Sequence, residues 1–135
     1  MRTSVLTAMF PAPPETVWTI VTNNSDTSWR SDITRTCVKE GGSVFVETAK
    51  GGMETTFHIT RKEPYQLYSF TLENRMICGE WTGEFSAAAD GTKVVFTERV
   101  RTRSRLLGFL AYLMPIKAMQ QQYVTDLQRR LVQQI

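Results

Sequence analysis

Near the C-terminus, residues 106–131 read LLGFLAYLMPIKAMQQQYVTDLQRRL. Apolar residues recur there at every third or fourth position, as at Val124, Leu127 and Leu131, which places them on one side of a helix. We predict a long amphipathic helix of about 30 residues with Ser104 as its N-cap. Pro115 should kink this helix or split it in two.

The preceding residues, 32–103, show a strand pattern instead. Glycine or proline separates apolar segments of about 6–10 residues, which predicts about six strands. The punctuation stands at Gly41-Gly42, Gly51-Gly52, Glu63-Pro64, Glu73-Asn74 and Asp90-Gly91. Because the connections are short, the strands should pair antiparallel, since parallel pairs need long crossovers.

The N-terminal residues add one more strand and two short helices. Residues 3–10 alternate loosely and predict the first strand. Prolines then interrupt the pattern, and residues 15–21 predict a short amphipathic helix. Residues 23–26 end it and offer an N-cap for a second short helix that runs through Trp29. The whole order predicts one α+β domain, residues 1–135, in which a curved antiparallel sheet of about seven strands wraps around the C-terminal helix.

Composition excludes several classes of protein. The chain has 135 residues, a net charge of +3 and 41% hydrophobic residues, values typical of one globular domain and not of a disordered chain. One histidine, His58, and two cysteines, Cys37 and Cys78, are not spaced for zinc, so we expect no metal and no cofactor. The longest apolar run, residues 106–116, falls short of the ~20 residues that span a membrane. With no visible targeting segment, we expect a soluble, cytoplasmic protein.

Three local motifs resemble a known family. Pro11-Ala12-Pro13-Pro14-Glu15-Thr16-Val17-Trp18 after the first strand is similar to an apolar-x-x-Pro-x-x-Val-Trp opening. Ser28-Trp29 resembles a tryptophan at the start of the second strand, and Gly91-Thr92-Lys93-Val94 resembles a Gly-Thr-x-Val entry to the last strand. Together with the long C-terminal helix, these motifs make the chain resemble the START/polyketide cyclase (SRPBCC) superfamily, over nearly its whole length.

That resemblance implies the helix-grip fold and an apolar ligand held between sheet and helix. Members of the superfamily include lipid carriers, aromatic polyketide cyclases, chaperone activators and ribosome-associated toxins. They share no catalytic motif, so the resemblance implies no catalytic residue here. The leading hypothesis is therefore a binding module, and not an enzyme, for a small hydrophobic or amphipathic ligand that is lipid-like or polyketide-like.

Strand alternation predicts which side chains line the interior. Residues two apart share a face, and the predicted inner face is rich in aromatic rings. We predict a cavity for a small hydrophobic ligand, with a filled core as the alternative. Gly79 and Gly83 should leave room inside the bent sheet. The candidate ligand-binding residues are Trp29, Phe57, Tyr68, Phe70, Trp81, Phe85, Phe96, Glu98, Leu110 and Met114.

Glu98 is the candidate for chemistry. It lies in register with Val94, Phe96 and Val100 on the predicted inner face, where a carboxylate is costly unless paired. It would orient a ligand or, in a cyclase or dehydrase, act as general acid/base near Trp81 and Tyr68. The alternatives are a glutamate near the rim that pairs with an arginine, and a different strand register that leaves Glu98 exposed.

The remaining reactive residue types favour ordinary roles. Alternation turns His58 outward, and without a Gly-x-Ser-x-Gly elbow no Ser-His-Asp triad is expected. Cys37 and Cys78 are expected to be small core or surface residues.

A row of arginines suggests a third role. Arg99, Arg101, Arg103 and Arg105 recur every second residue and should face outward. Residues 99–135 carry seven basic residues and one acidic, a net of +6, so the remainder carries −3. The row would suit an anionic membrane surface or an acidic protein, which makes an adaptor a further alternative. A solvated sheet face is the simpler interpretation, and no nucleic-acid partner is expected.

Overall fold

The computed structural model describes residues 1–104 and 115–133. In these residues seven strands form one antiparallel, curved sheet in the order β1-β7-β6-β5-β4-β3-β2, so β1 and β2 are its edges. The strands are β1 Arg2–Phe10, β2 Ile33–Lys39, β3 Val44–Ala49, β4 Glu54–Glu63, β5 Leu67–Glu73, β6 Ile77–Ala88 and β7 Gly91–Thr102. The predicted α+β sheet with a C-terminal helix is confirmed.

Two α-helices accompany the sheet in the described residues. Helix α1, Pro14–Thr22, follows β1, and helix α2, Ile116–Gln133, ends the chain's described part. The first helical hydrogen bond of α2 runs from the Met119 amide to the Pro115 carbonyl, 3.0 Å, so the proline stands where this helix begins. The N-terminal part of the predicted long helix, with Arg105, Leu110 and Met114, lies outside the described residues.

The prediction of a second short helix before β2 is wrong. Residues 23–32 form turns. The side-chain oxygen of Asn23 accepts the Ser25 amide at 3.1 Å, and that of Asp26 accepts the Ser28 amide at 3.2 Å and the Ser28 hydroxyl at 2.6 Å. Such local side-chain bonds compete with helical hydrogen bonds, so an apparent N-cap sequence became a turn.

Helix α2 packs along strand β1 and covers the inner face of the sheet. Its side chains Ile116, Leu127 and Leu131 are buried in the core. Its polar side chains bond the edge strand: the Gln120 amide donates to the Ser4 carbonyl at 3.1 Å, and the Gln128 amide donates to the Met9 carbonyl at 3.2 Å. The edge is thereby covered, and the helix position is fixed relative to the sheet.

Neighbouring atoms lie close to the backbone at two glycines on β6. A Cβ atom at Gly79 would lie 2.1 Å from the Arg99 carbonyl oxygen. A Cβ atom at Gly83 would lie 2.9 Å from the Trp81 ring and 3.3 Å from the Phe85 ring. The expectation that these glycines leave free room is wrong, because neighbouring atoms occupy it.

Candidate functional site

The predicted inner face of the sheet is an aromatic cluster. Phe57, Tyr68, Phe70, Trp81, Phe85 and Phe96 each keep 9% or less of their surface exposed. Phe70 stacks on Trp81 with ring centroids 4.7 Å apart, and Phe45 stacks on Phe57 at 4.6 Å. The alternation argument therefore placed these side chains correctly, while their role as ligand contacts remains a prediction.

Tyr123 of α2 joins the helix to this cluster. Its ring lies 5.6 Å from Phe96 and 6.1 Å from Trp81. Trp29, from the turn segment before β2, packs edge-on against Tyr123 at 5.2 Å. The indole Nε1 of Trp29 is buried and makes no hydrogen bond with any residue of 1–104 or 115–133. A buried donor without a partner costs about 1–3 kcal/mol, so the unpaired indole N–H of Trp29 destabilises the folded state.

Arg30 forms an ion-pair cluster that sequence reasoning missed. Its guanidinium donates to Asp32 at 2.9 and 3.0 Å and to the buried Glu47 at 3.3 Å. It also lies 4.9 Å from the Tyr123 ring centroid, within cation–π range. Burial alone would lower the pKa of Arg30, but the carboxylates of Glu47 and Asp32 raise it, so the side chain stays charged.

Glu47 could have been found by the reasoning that found Glu98. It stands two residues from Phe45 on β3, and that alternation places both on the inner face. Burial raises the pKa of Glu47, and the charge of Arg30 offsets part of that rise. No local signal pointed to Arg30, because its partner Glu47 lies 17 residues away on another strand.

Glu98 points into the interior, as predicted. It stands directly opposite Trp81 on β6 and Ser4 on β1, and directly opposed residues share a face of the sheet. Within the described residues it makes no hydrogen bond and no ion pair, so none of the arginines described pairs with it. Burial raises the pKa of Glu98 to about 7; the charge of Arg30 lowers it and that of Glu47 raises it further.

Part of the inner surface is accessible. Thr55 and Ile59 on β4 and Glu98 on β7 are only partly buried, although they face the interior. Both strands have neighbours on each side, so this accessible surface lies on the inner face of the sheet. The accessible part of the inner face therefore carries an aliphatic side chain, a hydroxyl group and a carboxyl group, while the aromatic rings of the same face are buried.

The fold and these side chains can be compared with known proteins. Residues 1–133 match the family model described as polyketide cyclase/dehydrase and lipid transport. The chain belongs to this polyketide cyclase/dehydrase family. That result confirms the resemblance to the START/polyketide cyclase superfamily. No curated protein sequence matches the chain.

Several solved structures share the fold of this polyketide cyclase/dehydrase family member, at low sequence identity. The Zhui aromatase/cyclase from Streptomyces sp. R1128 superposes with a TM-score of 0.82 at 10% identity, covering 96% of this chain and 93% of its own. A conserved protein from Geobacillus kaustophilus gives 0.80 at 12% identity, covering 98% and 96%. The protein MLL2253 from Mesorhizobium loti gives 0.78 at 18% identity, covering 98% of both chains. At these identities the likeness shows the fold alone.

The other candidate residues of this cyclase-family protein lie away from the interior. His58 is exposed, 3.9 Å from the Glu73 carboxylate. Cys37 is exposed, and the Cys78 sulfur accepts a hydrogen bond from Arg101 at 3.1 Å. In the described residues no group of three His, Cys, Asp or Glu side chains is arranged to hold a metal ion. None of the helices described is long and apolar enough to cross a membrane.

Arg99, Arg101 and Arg103 of the arginine row are exposed on the outer face, as predicted, but part of their charge is neutralised; Arg105 lies outside the described residues. Arg99 lies 3.4 Å from the Glu80 carboxylate and Arg103 lies 3.6 Å from that of Glu73. Exposed ion pairs of this kind contribute little stability. They do lower the net charge of this face, and docking to an anionic surface or acidic protein stays a prediction.

The raised pKa of Glu98 makes stability depend on pH. The folded pKa of about 7 exceeds the ordinary 4.5, so the folded state holds its proton more tightly. Ionisation therefore destabilises the fold as pH rises from the lower value to the higher. At each pH the free energy of unfolding of Glu98→Gln is compared with that of wild type. This difference should favour the variant by about 1–2 kcal/mol more at about pH 8 than at about pH 5. The range is smaller than the full pKa shift implies, because solvent partly screens the Glu98 side chain.

Urea unfolding of both proteins at the two pH values measures this difference. The matched control is Glu80→Gln, which changes an exposed carboxylate on the outer face of β6 and should show no comparable pH effect. An equal stability difference at both pH values would mean that Glu98 ionises in the fold as it does in water.

Proposed function

We propose that this protein binds a small hydrophobic or amphipathic ligand, lipid-like or polyketide-like, in the interior between the sheet and α2. The observation that carries the proposal is the inward carboxyl group of Glu98. It is partly accessible, stands opposite Trp81 on the inner face, and has no hydrogen-bond partner among the described residues. The family description, which covers both polyketide cyclases/dehydrases and lipid transport, supports a ligand of this kind.

Two separate contributions would make the free energy of binding favourable. The apolar part of the ligand would leave water for the surface of Phe57, Phe70, Trp81 and Phe96, which contributes about 25 cal/mol per Å² of apolar area buried. Glu98 and the Tyr123 hydroxyl would then fix the orientation of the polar part, because a buried polar group needs a partner. This division resembles most small-molecule sites, where a few polar groups stand in an apolar pocket.

A neutral fluorescent probe tests the proposal. N-phenyl-1-naphthylamine brightens in apolar surroundings and should bind the wild-type protein. Ile59→Trp adds a large ring to the partly accessible inner row opposite Phe70, and should weaken probe binding by about tenfold or more through overpacking. His58→Trp adds the same ring one residue away on the outer face and should leave binding unchanged.

Organic extraction of the purified protein followed by mass spectrometry gives an independent readout. A co-purifying apolar molecule that competes with the probe supports the proposal. A protein that yields no such molecule and does not brighten the probe contradicts it, as does equal binding by the two tryptophan variants when both unfold cooperatively.

A cyclase or dehydrase reaction is the second candidate, and the pKa of Glu98 favours it. A carboxyl group with a pKa of about 7 can both give and take a proton near neutral pH. Incubating the protein with the extracted ligand should then form a product that lacks one water, and Glu98→Gln should abolish it. A ligand that is recovered unchanged supports a carrier.

A further inference from the structure

Three polar groups that lack a hydrogen-bond partner among the described residues belong to side chains near the Arg30 guanidinium. It lies 4.9 Å from the Tyr123 ring centroid and 5.8 Å from that of Trp29, and its charge offsets part of the rise in the pKa of Glu98 that burial causes. The Trp29 indole Nε1 is buried, and its ring contacts Tyr123 at 5.2 Å. The Tyr123 hydroxyl makes no hydrogen bond with a described residue. Glu98 follows Phe96 by two residues on the same face, and Phe96 contacts Tyr123 at 5.6 Å. One group donates, one both donates and accepts, and the carboxyl group accepts or, when protonated, donates.

The charged side chains near Tyr123 are either paired with one another or acidic. Arg30 is the one cation among the described residues of this cluster, and its guanidinium bonds both Asp32 and Glu47. Side-chain exposure of Arg30 and Glu47 is only 13% and 11%, so their charges are weakly screened. Glu98 adds a further acidic group. An anionic ligand would therefore find its cation occupied and would lie next to two carboxyl groups.

We infer that the ligand presents an uncharged hydroxyl group to this cluster and that carboxylate and phosphate head groups are excluded. The inference rests on the proposed function and names the chemical class of its ligand. A hydroxyl can accept a hydrogen bond from Trp29 and donate one to Glu98 or Tyr123. An ammonium group can only donate, so it would leave the buried indole N–H unpaired.

Three naphthalene derivatives that share the same ring system and differ in their head groups test this inference by calorimetry near neutral pH. They are 2-naphthalenemethanol, 2-naphthoate and 2-naphthylmethylammonium, with 2-methylnaphthalene as the reference that has no polar group. The alcohol should bind at least about tenfold more tightly than the carboxylate, because the carboxylate cannot donate a hydrogen bond and adds a contact between like charges. The ammonium should also bind more weakly than the alcohol.

Two variants assign the selectivity to these residues. Trp29→Phe removes the N–H donor but keeps a ring, so it should weaken the alcohol about threefold or more while the hydrocarbon binds as before. Trp18→Phe makes the same change among Tyr65, Tyr68 and Phe85 and should leave the preference intact. Glu98→Gln removes the acidic neighbour and should narrow the gap between alcohol and carboxylate.

The outcomes separate this inference from the proposed function. Carboxylate binding as tight as that of the alcohol overturns the inference, and so does a Trp29→Phe variant with unchanged preference. Binding of the hydrocarbon with no gain for the alcohol also overturns it, while ligand binding in the interior stands. Failure of all four compounds to bind counts against the proposed function itself.

Discussion

Replacing Asp126 with alanine is expected to lower the free energy of unfolding by about 3 kcal/mol and to weaken ligand binding. Asp126 is fully buried on α2. One carboxylate oxygen accepts the Ser31 amide and hydroxyl, both at 2.8 Å, and the other accepts Gln122 at 2.9 Å and Arg129 at 3.0 Å. The alanine variant would leave the partly buried Ser31 amide and hydroxyl without their acceptor, which is costlier than removing both members of a bond.

The effect on binding follows from what Asp126 holds in place. Ser31 directly follows Trp29 and Arg30, so its two bonds to Asp126 anchor the segment that carries both side chains into the interior. Arg129 adds a bond to the Trp29 carbonyl at 3.2 Å, and Arg130 pairs with Asp26 at 2.7 Å. Without Asp126 this segment loses its central attachment to α2.

Chemical denaturation and probe titration in parallel measure the two effects. Gln121→Ala changes an exposed position of the same helix and should alter neither. Asp126→Asn keeps one acceptor oxygen and should fall between wild type and alanine. A loss of stability below about 1 kcal/mol in the alanine variant would show that water replaces the carboxylate without cost.

Gly79→Ala is expected to cost about 3 kcal/mol, the upper part of the range for overpacking. The added methyl group would meet the Arg99 carbonyl oxygen at 2.1 Å, and that atom belongs to the backbone of the neighbouring strand. No rotamer change relieves such a contact, so β6 and β7 must separate locally. Ladder hydrogen bonds beside Val100 would lengthen as a result.

Gly83→Ala is the matched control on the same strand and face. Its methyl group would meet the ring edges of Trp81 and Phe85, which can shift by a few tenths of an ångström. The lower chain entropy of alanine in the unfolded state offsets part of the strain, so the net change should stay within about 1 kcal/mol. Thermal unfolding measures the loss of stability in both variants. Equal losses would show that the atoms around the new methyl group at Gly79 can move aside.

The fold was largely predictable because its signals are local and periodic. The alternation of Tyr68, Phe70 and Leu72 placed each on the correct face, and the glycine and proline punctuation gave the number of strands. The same alternation placed Glu98 inside without any knowledge of its neighbours. A period-two pattern is sufficient where one face of a sheet is buried and the other is exposed.

The polar part of the site was less predictable because it depends on contacts between distant residues. Arg30 joins the interior only through Glu47 and Tyr123, which stand on a strand and a helix far along the chain. The segment before β2 was misread because Asn23 and Asp26 suit an N-cap and a turn equally well. Tertiary contacts with α2, such as Arg130 with Asp26, select between these two structures.

The pairing of β1 with β7 has a consequence for the order of assembly. Arg2 stands opposite Val100, whereas β2 to β6 each pair with the strand that follows in sequence. During synthesis the hairpins from β2 onward can form as they leave the ribosome, but β1 has no partner until β7 has been made. Strand β1 therefore stays unpaired until β7 has been synthesised, and closing this long loop should limit the folding rate. Moving β1 to the C-terminus by circular permutation would shorten that loop and should speed folding.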